Sequence, residues 1–343
     1  MLDSVKQFGF RPPGDGAVIE TIDMHTGGEP LRIITGGLPE IKGDTLLEKR
    51  RFFRENLDHL RRMLMWEPRG HTDMYGAILL DPVDPRADLS VLFMHNEGYS
   101  TMCGHATIAL SRFVIDTGIV KKAHNDRGFL LEVPAGLVKV KHLGGARGSF
   151  ENVPSFVLMQ DREVTVEGVG NVSFDVAFGG AFYAFVDVED FGFGLIPSEG
   201  SRIKALGGLI RQAIVNKYEI KHPFAEDLGF LYGVIFMGKA HDPGHHSRNV
   251  CIFADQELDR SATGSGVSAR AALHHAKGEL LPHQPLIIES ILGTTMTVEI
   301  TAETEFGKYN AVIPRISGEA FYTGKHTFWI DPDDPLKEGF MIS

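Results

Sequence analysis

Two cysteines in 343 residues, Cys103 and Cys251, are too few for a disulfide scaffold and fit a chain kept in a reducing compartment. Long apolar runs are missing, so no bilayer-spanning helix is expected and no membrane partner. A dense Lys/Arg stripe is missing as well, and the formal net charge of -11 disfavours nucleic acid, which needs a basic face for its phosphates. The nearest candidate, Glu48-Lys-Arg-Arg-Phe-Phe-Arg54, is balanced by Glu48, Glu55 and Asp58 and reads as the solvated face of a helix. The Pro/Gly-rich lead, Met1 to Ala17, has no basic segment followed by an apolar core, so no signal peptide is expected. These absences leave a soluble, cytoplasmic protein, long enough for two domains of ordinary size.

What is present centres on Thr101-Met-Cys-Gly-His-Ala-Thr-Ile-Ala-Leu110. The run from Ala106 to Asp116 is apolar on nearly every face, which fits an enclosed helix, and Cys103, Gly104 and His105 stand at its start. The first N–H groups of such a helix lack internal partners and carry the positive end of its dipole, so they favour a thiolate or a bound carboxylate. Cys103 is therefore either a base or a small buried hydrophobe.

Along the chain, Val18 to Asp23 and Leu31 to Thr35 read as strands joined by His25-Thr-Gly-Gly-Glu-Pro30. Asp44 to Trp66 reads as one amphipathic helix, with Leu47, Leu57, Leu60 and Leu64 on a face and Pro68 as its stop. Arg69 to Tyr75 is a polar loop, Val91 to Met94 a short strand, and Phe129 to Val133 with Leu137 to His142 a hairpin. The same order then returns. Gly179-Gly180 before AFYAFVDV follows Gly27-Gly28 before EPLRIITG by 152 residues, and Ile203 to Tyr218 supplies a second amphipathic helix. Phe253 precedes Thr263 by ten residues, as Phe93 precedes Cys103, and Thr263-Gly264 follows Cys103-Gly104 by 160. Glu132 and Gly136 are answered by Glu289 and Gly293. Five matches in one order predict two similar lobes, residues 1–152 with a C-terminal return over 318–343, and residues 153–317. Both buried helices would then start at one cleft, offering two sets of N–H groups to one small anion.

Asp23-Met-His-Thr-Gly-Gly-Glu-Pro30, Arg69-Gly-His71 with Asp73-Met74, Met102-Cys-Gly-His105 and Asp259-Arg-Ser-Ala-Thr-Gly-Ser-Gly266 resemble the proline racemase family over nearly the whole chain. The resemblance implies an α/β chain of diaminopimelate-epimerase-like fold. In it, two similar lobes each curl a mostly antiparallel sheet around a central helix, with the active site between them, usually in a homodimer. Racemases and hydroxyproline epimerases of the family place a cysteine on each face of the substrate. Here the second position is Thr263, whose hydroxyl is far too weak an acid to serve as the opposing base. Threonine there resembles the trans-3-hydroxy-L-proline dehydratases; Ala262, where relatives commonly carry proline, is a smaller departure.

The resemblance implies Cys103 as base, with His105 or the protonated Cys103 as acid, and leaves the role of Thr263 open. Gly104, His105, Gly264 and Ser265 would hold the carboxylate or the surroundings of the ring nitrogen, Asp259 would hold the ammonium of a small imino acid, and Tyr75 and Phe253 would wall the ring. No cofactor or metal is implied. His241-Asp-Pro-Gly-His-His246 has zinc-type ligands but no closed-site spacing, and reads as a solvated loop with at most one histidine at the cleft. Cys251 reads as buried and inert, and His274-His275 as packing. The alternatives are a hydroxyproline 2-epimerase or proline racemase, a Cys-His hydrolase lacking an evident orienting Asp or Asn, and a non-catalytic imino-acid binding protein, which would tolerate loss of Cys103.

Overall fold

The computed structural model describes residues 16–121 and 128–342; most of the Pro/Gly-rich lead lies outside them. The first half runs β1 (Val18–Thr26), β2 (Glu29–Gly36), α1 (Leu46–Asn56), α2 (Asp58–Met65), β3 (Tyr75–Leu80), β4 (Leu89–His95), β5 (Tyr99–Ser100), α3 (Gly104–Thr117), β6 (Gly128–Val133), β7 (Gly136–Gly144) and β8 (Arg147–Glu151). The second runs β9 (Ser155–Val166), β10 (Gly170–Phe178), β11 (Phe182–Asp187), α4 (Gly200–Lys217), β12 (Leu231–Gly238), β13 (Ser247–Phe253), β14 (Glu257–Asp259), α5 (Gly264–Ala276), β15 (Leu286–Glu289), β16 (Thr295–Phe306) and β17 (Tyr309–Trp329).

The two halves pair their strands in the same order and sense. β1 and β2 are antiparallel, β2 and β3 parallel, β3 and β4 antiparallel, and β4 and β6 parallel. β10, β11, β12, β13 and β15 repeat that series. Even two loop-capping glutamates correspond. Glu132 accepts the N–H groups of Val83 and Asp84 at 3.0 and 3.1 Å, and Glu289 accepts those of His241 and Asp242 at 3.0 and 2.9 Å. The strand β17 joins the lobes: it pairs with β16 and β8, then runs on along β1 from Ala320 opposite Thr26 to Trp329 opposite Val18.

The strands form one continuous sheet, and those of each half curl around that half's own buried helix. Ala106, Ile108, Ala109, Leu110, Phe113 and Val114 of α3, and Val267, Ala269, Ala271, Ala272 and Leu273 of α5, are buried in one continuous apolar core. Their all-round apolarity fits that enclosure. The helix α3 ends as its sequence dictates, at Gly118 in the left-handed conformation.

The single helix expected over Asp44 to Trp66 is two. The helix α1 starts on a capping box, Thr45 with Glu48, and ends at Leu57, whose φ of -127° breaks the ladder. Asp58 then opens α2. Its carboxylate is held by Arg61 and by the Tyr99 hydroxyl at 2.8 Å, which fixes a fresh helix start where an aspartate is favoured. Leu46, Phe53, Leu60 and Leu64 face a second core with Ile19, Ile34 and Met94, while Leu47 and Leu57 are only half-buried. Among the described residues, no helix is long and apolar enough to cross a membrane.

Candidate active site

The short strand β5 delivers the chain through Thr101 and Met102 to Cys103, the N-cap of α3. Extended backbone at Cys103 (φ -140°) turns its Sγ back over the first turn, where the Ala106 N–H donates to it at 3.5 Å. The imidazole of His105 lies beside the sulfur, with Nδ1 at 3.1 Å. His105 Nε2 faces the Pro30 carbonyl at 3.2 Å, so Nε2 carries the proton and Nδ1 accepts from the Cys103 thiol. Burial lowers the His105 pKa to about 3, against the Pro30 contact, and Arg260 pushes the same way as burial. The imidazole is neutral.

The thiolate expected from the helix start is not the resting form. Burial pushes the Cys103 thiol well up, outweighing the Ala106 N–H, and the carboxylates of Asp259 and Glu29 push further in the same direction. The site at rest therefore holds a thiol hydrogen-bonded to a neutral imidazole.

The second helix start differs from the first. Thr263 caps α5 from the left-handed region, φ 67° and ψ 86°, an unfavourable place for a β-branched residue. Its side chain makes no cap, and its buried Oγ1 makes no hydrogen bond of ordinary geometry, although it stands near enough to Asp259 and Cys251 to favour the ionised form of each. The two helices meet at their glycines: a Cβ on Gly104 would stand 2.4 Å from Gly264 Cα. That closeness sets the helix starts Gly104–His105 and Gly264–Ser265, whose first N–H groups lack partners within their own helices, on one cavity.

The cavity holds about 300 Å³ of space between atoms, part of it open to solvent. All nine residues singled out in the sequence, Tyr75, Cys103, Gly104, His105, Phe253, Asp259, Thr263, Gly264 and Ser265, line it. Asp259 is 5% exposed, and burial raises its carboxyl to about 6 against the Ser261 N–H, which donates to it at 2.7 Å. Tyr75 packs edge-on to His105 with centroids 4.7 Å apart, and its hydroxyl bonds Ser100.

Four lining residues escaped the sequence reading: Met102, Tyr183, Tyr232 and Cys251. Tyr183 shares a 2.7 Å hydrogen bond with Ser265, and Tyr232 stacks on Phe253 at 5.3 Å. Both lie in apolar strands, where a phenol carries no mark of facing a site; their polar tips in AFYAFVDV and FLYGVIF were the available signal. Cys251 is buried as expected, yet pairs across the ladder with Asp259 and borders the cavity. The histidine loop sits elsewhere. His245 Nδ1 lies 2.9 Å from Glu289, His246 packs edge-on to His274, and none of the three loop histidines lines the cavity.

The family model for proline racemase matches residues 21–341. The chain belongs to the proline racemase family. It is 46% identical over 333 residues to a trans-3-hydroxy-L-proline dehydratase of Colwellia psychrerythraea, covering 94% of this chain and 92% of that one. It is 45% identical over 345 residues to the Homo sapiens protein of the same name, covering 96% and 97%. Among solved structures, a hydroxyproline epimerase from Agrobacterium vitis with bound trans-4-hydroxy-L-proline superposes at a TM-score of 0.89, with 30% identity and 95% of each chain covered. A phenazine biosynthesis protein from Bacillus anthracis, at 12% identity and a TM-score of 0.57, shares the fold.

Proposed function

We propose that this chain is a trans-3-hydroxy-L-proline dehydratase, forming Δ1-pyrroline-2-carboxylate by loss of the 3-hydroxyl as water. The observation that carries the reading is the asymmetry of the two helix starts: Cys103 caps the first beside His105, and the matching start bears Thr263 in place of a second thiol. Inversion of the α-carbon needs a base on each face. Elimination from the trans-3-hydroxy substrate does not, because the hydroxyl and the α-hydrogen share a ring face. The names of the relatives at 45–46% identity support the same choice over the epimerase.

The protons balance on two residues. Transfer of the thiol proton to His105 Nδ1 gives a thiolate and an imidazolium. The thiolate takes the α-proton, the Cα–H electron pair becomes the Cα=Cβ bond, and the Cβ–O bond breaks as the imidazolium protonates the departing oxygen. Thiol and neutral imidazole are thereby restored. The resulting enamine tautomerises to the imine.

The ion pair is disfavoured at rest by the raised thiol and the lowered imidazole. The substrate supplies the counter-charges. Its ammonium, held by Asp259, favours the thiolate, and its carboxylate, at the two helix starts, favours the imidazolium. A unit charge about 5 Å away is worth on the order of 3 kcal/mol at an effective dielectric constant of about 20. The same N–H groups stabilise the carbanion as charge moves onto the carboxylate. Tyr75 and Phe253 cover the ring and exclude water. We further place the enzyme in the cytoplasm, as its two free buried thiols favour, and assign it a homodimeric state from the family resemblance, with the lobes dividing near Asn152.

The test is turnover of trans-3-hydroxy-L-proline in deuterated water, following the imine and α-deuterium. Wild type should form product, Cys103→Ser should form none while remaining folded, and trans-4-hydroxy-L-proline should not be epimerised. Product formation by the Cys103→Ser variant would sink the mechanism.

A further inference from the structure

The strand that carries Asp259 belongs to the second lobe but is held by the first. Glu257 Oε1 lies 2.7 Å from His95 Nδ1 and accepts the Glu97 N–H at 3.2 Å. The Leu258 N–H donates to Asp73 Oδ1 at 3.2 Å. On the far side, the Arg260 N–H donates to Glu29 at 2.8 Å, and its guanidinium donates to the Asp73 carbonyl at 3.1 Å. Each neighbour of Asp259 is thus fixed from across the cleft.

The matching strand β5 is anchored within its own lobe. Arg50 donates to the Tyr99 carbonyl at 2.8 Å, and the Tyr99 hydroxyl donates to Asp58. Just beyond it, the Thr101 hydroxyl donates to the Gly180 carbonyl of the second lobe at 2.6 Å, a single reach across the cleft against the several that hold β14.

Asp73 is the hub of the cross-lobe hold. Its carboxylate receives Lys204 Nζ at 3.1 and 3.2 Å as well as the Leu258 N–H, and Arg260 Nη2 stands 3.9 Å away. Its backbone is left-handed, φ 59°, a conformation that aspartate tolerates better than most residues. The residue is only 8% exposed. A buried carboxylate at a constrained backbone position, spent on an N–H beside the site, has a positioning task.

We propose that Asp73 is a positioning residue that sets the place of Asp259, so that grip on the substrate ammonium depends on contact between the lobes. The inference rests on the reading of Asp259 as the ammonium partner. It assigns to the Arg69–Met74 loop a task that the chemistry above leaves unfilled: the loop holds the strand that holds the cation. Lys204, reaching from α4, braces the carboxylate without touching the substrate.

The test is a double-mutant cycle on the affinity for L-proline, which lacks the hydroxyl to eliminate, measured by calorimetry with wild type, Asp73→Ala, Asp259→Asn and the double variant. Asp73→Ala should weaken L-proline about tenfold in the wild-type background, the worth of one charge-assisted hydrogen bond, and less than twofold in the Asp259→Asn background. Asp73→Asn, which keeps an acceptor for the Leu258 N–H, should recover affinity to within about threefold of wild type. Equal losses in both backgrounds, or no rescue by asparagine, overturn the assignment and leave the imino-acid reading standing. A wild type that binds no L-proline overturns both. If Asp73→Ala does not fold, Lys204→Met replaces it in the cycle, with about a threefold loss that must again vanish in the Asp259→Asn background.

Discussion

Gly104→Ala puts a single methyl group where two lobes touch. Its Cβ would lie 2.4 Å from Gly264 Cα, 2.7 Å from the Gly264 carbonyl carbon and 2.9 Å from the Ser265 nitrogen. All three are backbone atoms at the start of α5, so no side chain can swing aside. Restoring ordinary contact requires the helix starts to part by roughly 1 Å. Overpacking of this kind costs about 1–3 kcal/mol, offset in part by alanine's better helix propensity of about 1 kcal/mol. Stability should therefore fall little. Catalysis should fall far more, because a carboxylate bridging both helix starts cannot follow each of them, and a 1 Å misplacement costs on the order of 100-fold. Initial rates of imine formation give kcat/KM, and thermal unfolding gives the stability loss. Gly36→Ala is the control, since a Cβ there meets nothing within 4 Å. A Gly104→Ala enzyme within about threefold of wild-type kcat/KM would refute the picture of one anion held by two helix starts.

Thr263→Gly should stabilise the fold by about 1 kcal/mol, relieving a β-branched residue held in the left-handed region, while lowering kcat/KM; denaturant unfolding and initial rates check the two signs. Asp259, raised to about 6 by burial, should give kcat/KM a limb that rises with pH and levels above about 6, and the limb should be lost in Asp259→Asn. Since the folded protein holds the Asp259 proton more tightly than the unfolded chain, this group's linkage makes stability decline as pH rises from about 4 to about 6 and stay flat above. Glu289→Ala should cost about 3–5 kcal/mol in urea unfolding, because it leaves the buried Arg248 guanidinium without its carboxylate. Burial alone would raise the Glu289 carboxyl, but the His241 and Asp242 N–H groups, His245 and Arg248 bring it down to about 2, so its contribution is present above pH about 4 and is lost as pH falls through about 2.

The two-lobed plan was legible because it is written in local signals that repeat: paired glycines before a strand, a phenylalanine ten residues before each central helix start, and a glutamate that caps a loop from each parallel strand. The cavity was legible because the helix starts announce themselves by type, Cys103-Gly104 and Thr263-Gly264. The break at Leu57 was hidden, since it depends on Asp58 being claimed by Tyr99, a partner 41 residues away. So was the protonation state of Cys103. A helix start favours the thiolate locally, but the burial that defeats it belongs to a cavity closed in part by Tyr183, Tyr232 and Phe253 of the other lobe. Tyr183 and Tyr232 were missed for the same reason: an apolar strand buried on both faces shows no alternation to say which side meets a ligand.

The crossing of β17 into the first lobe ties the start of the chain to its end. Val18 finds its partner Trp329 only after more than 300 residues have been made. Until then β1 presents an open edge on that side, and the first lobe leaves the ribosome lacking its closing strand. Folding must be slow and cooperative over the whole chain, because contacts this distant in sequence form late and neither half can finish alone. A loss of the last twenty described residues would thus be felt first at the beginning of the chain, as aggregation through the uncovered edge of β1.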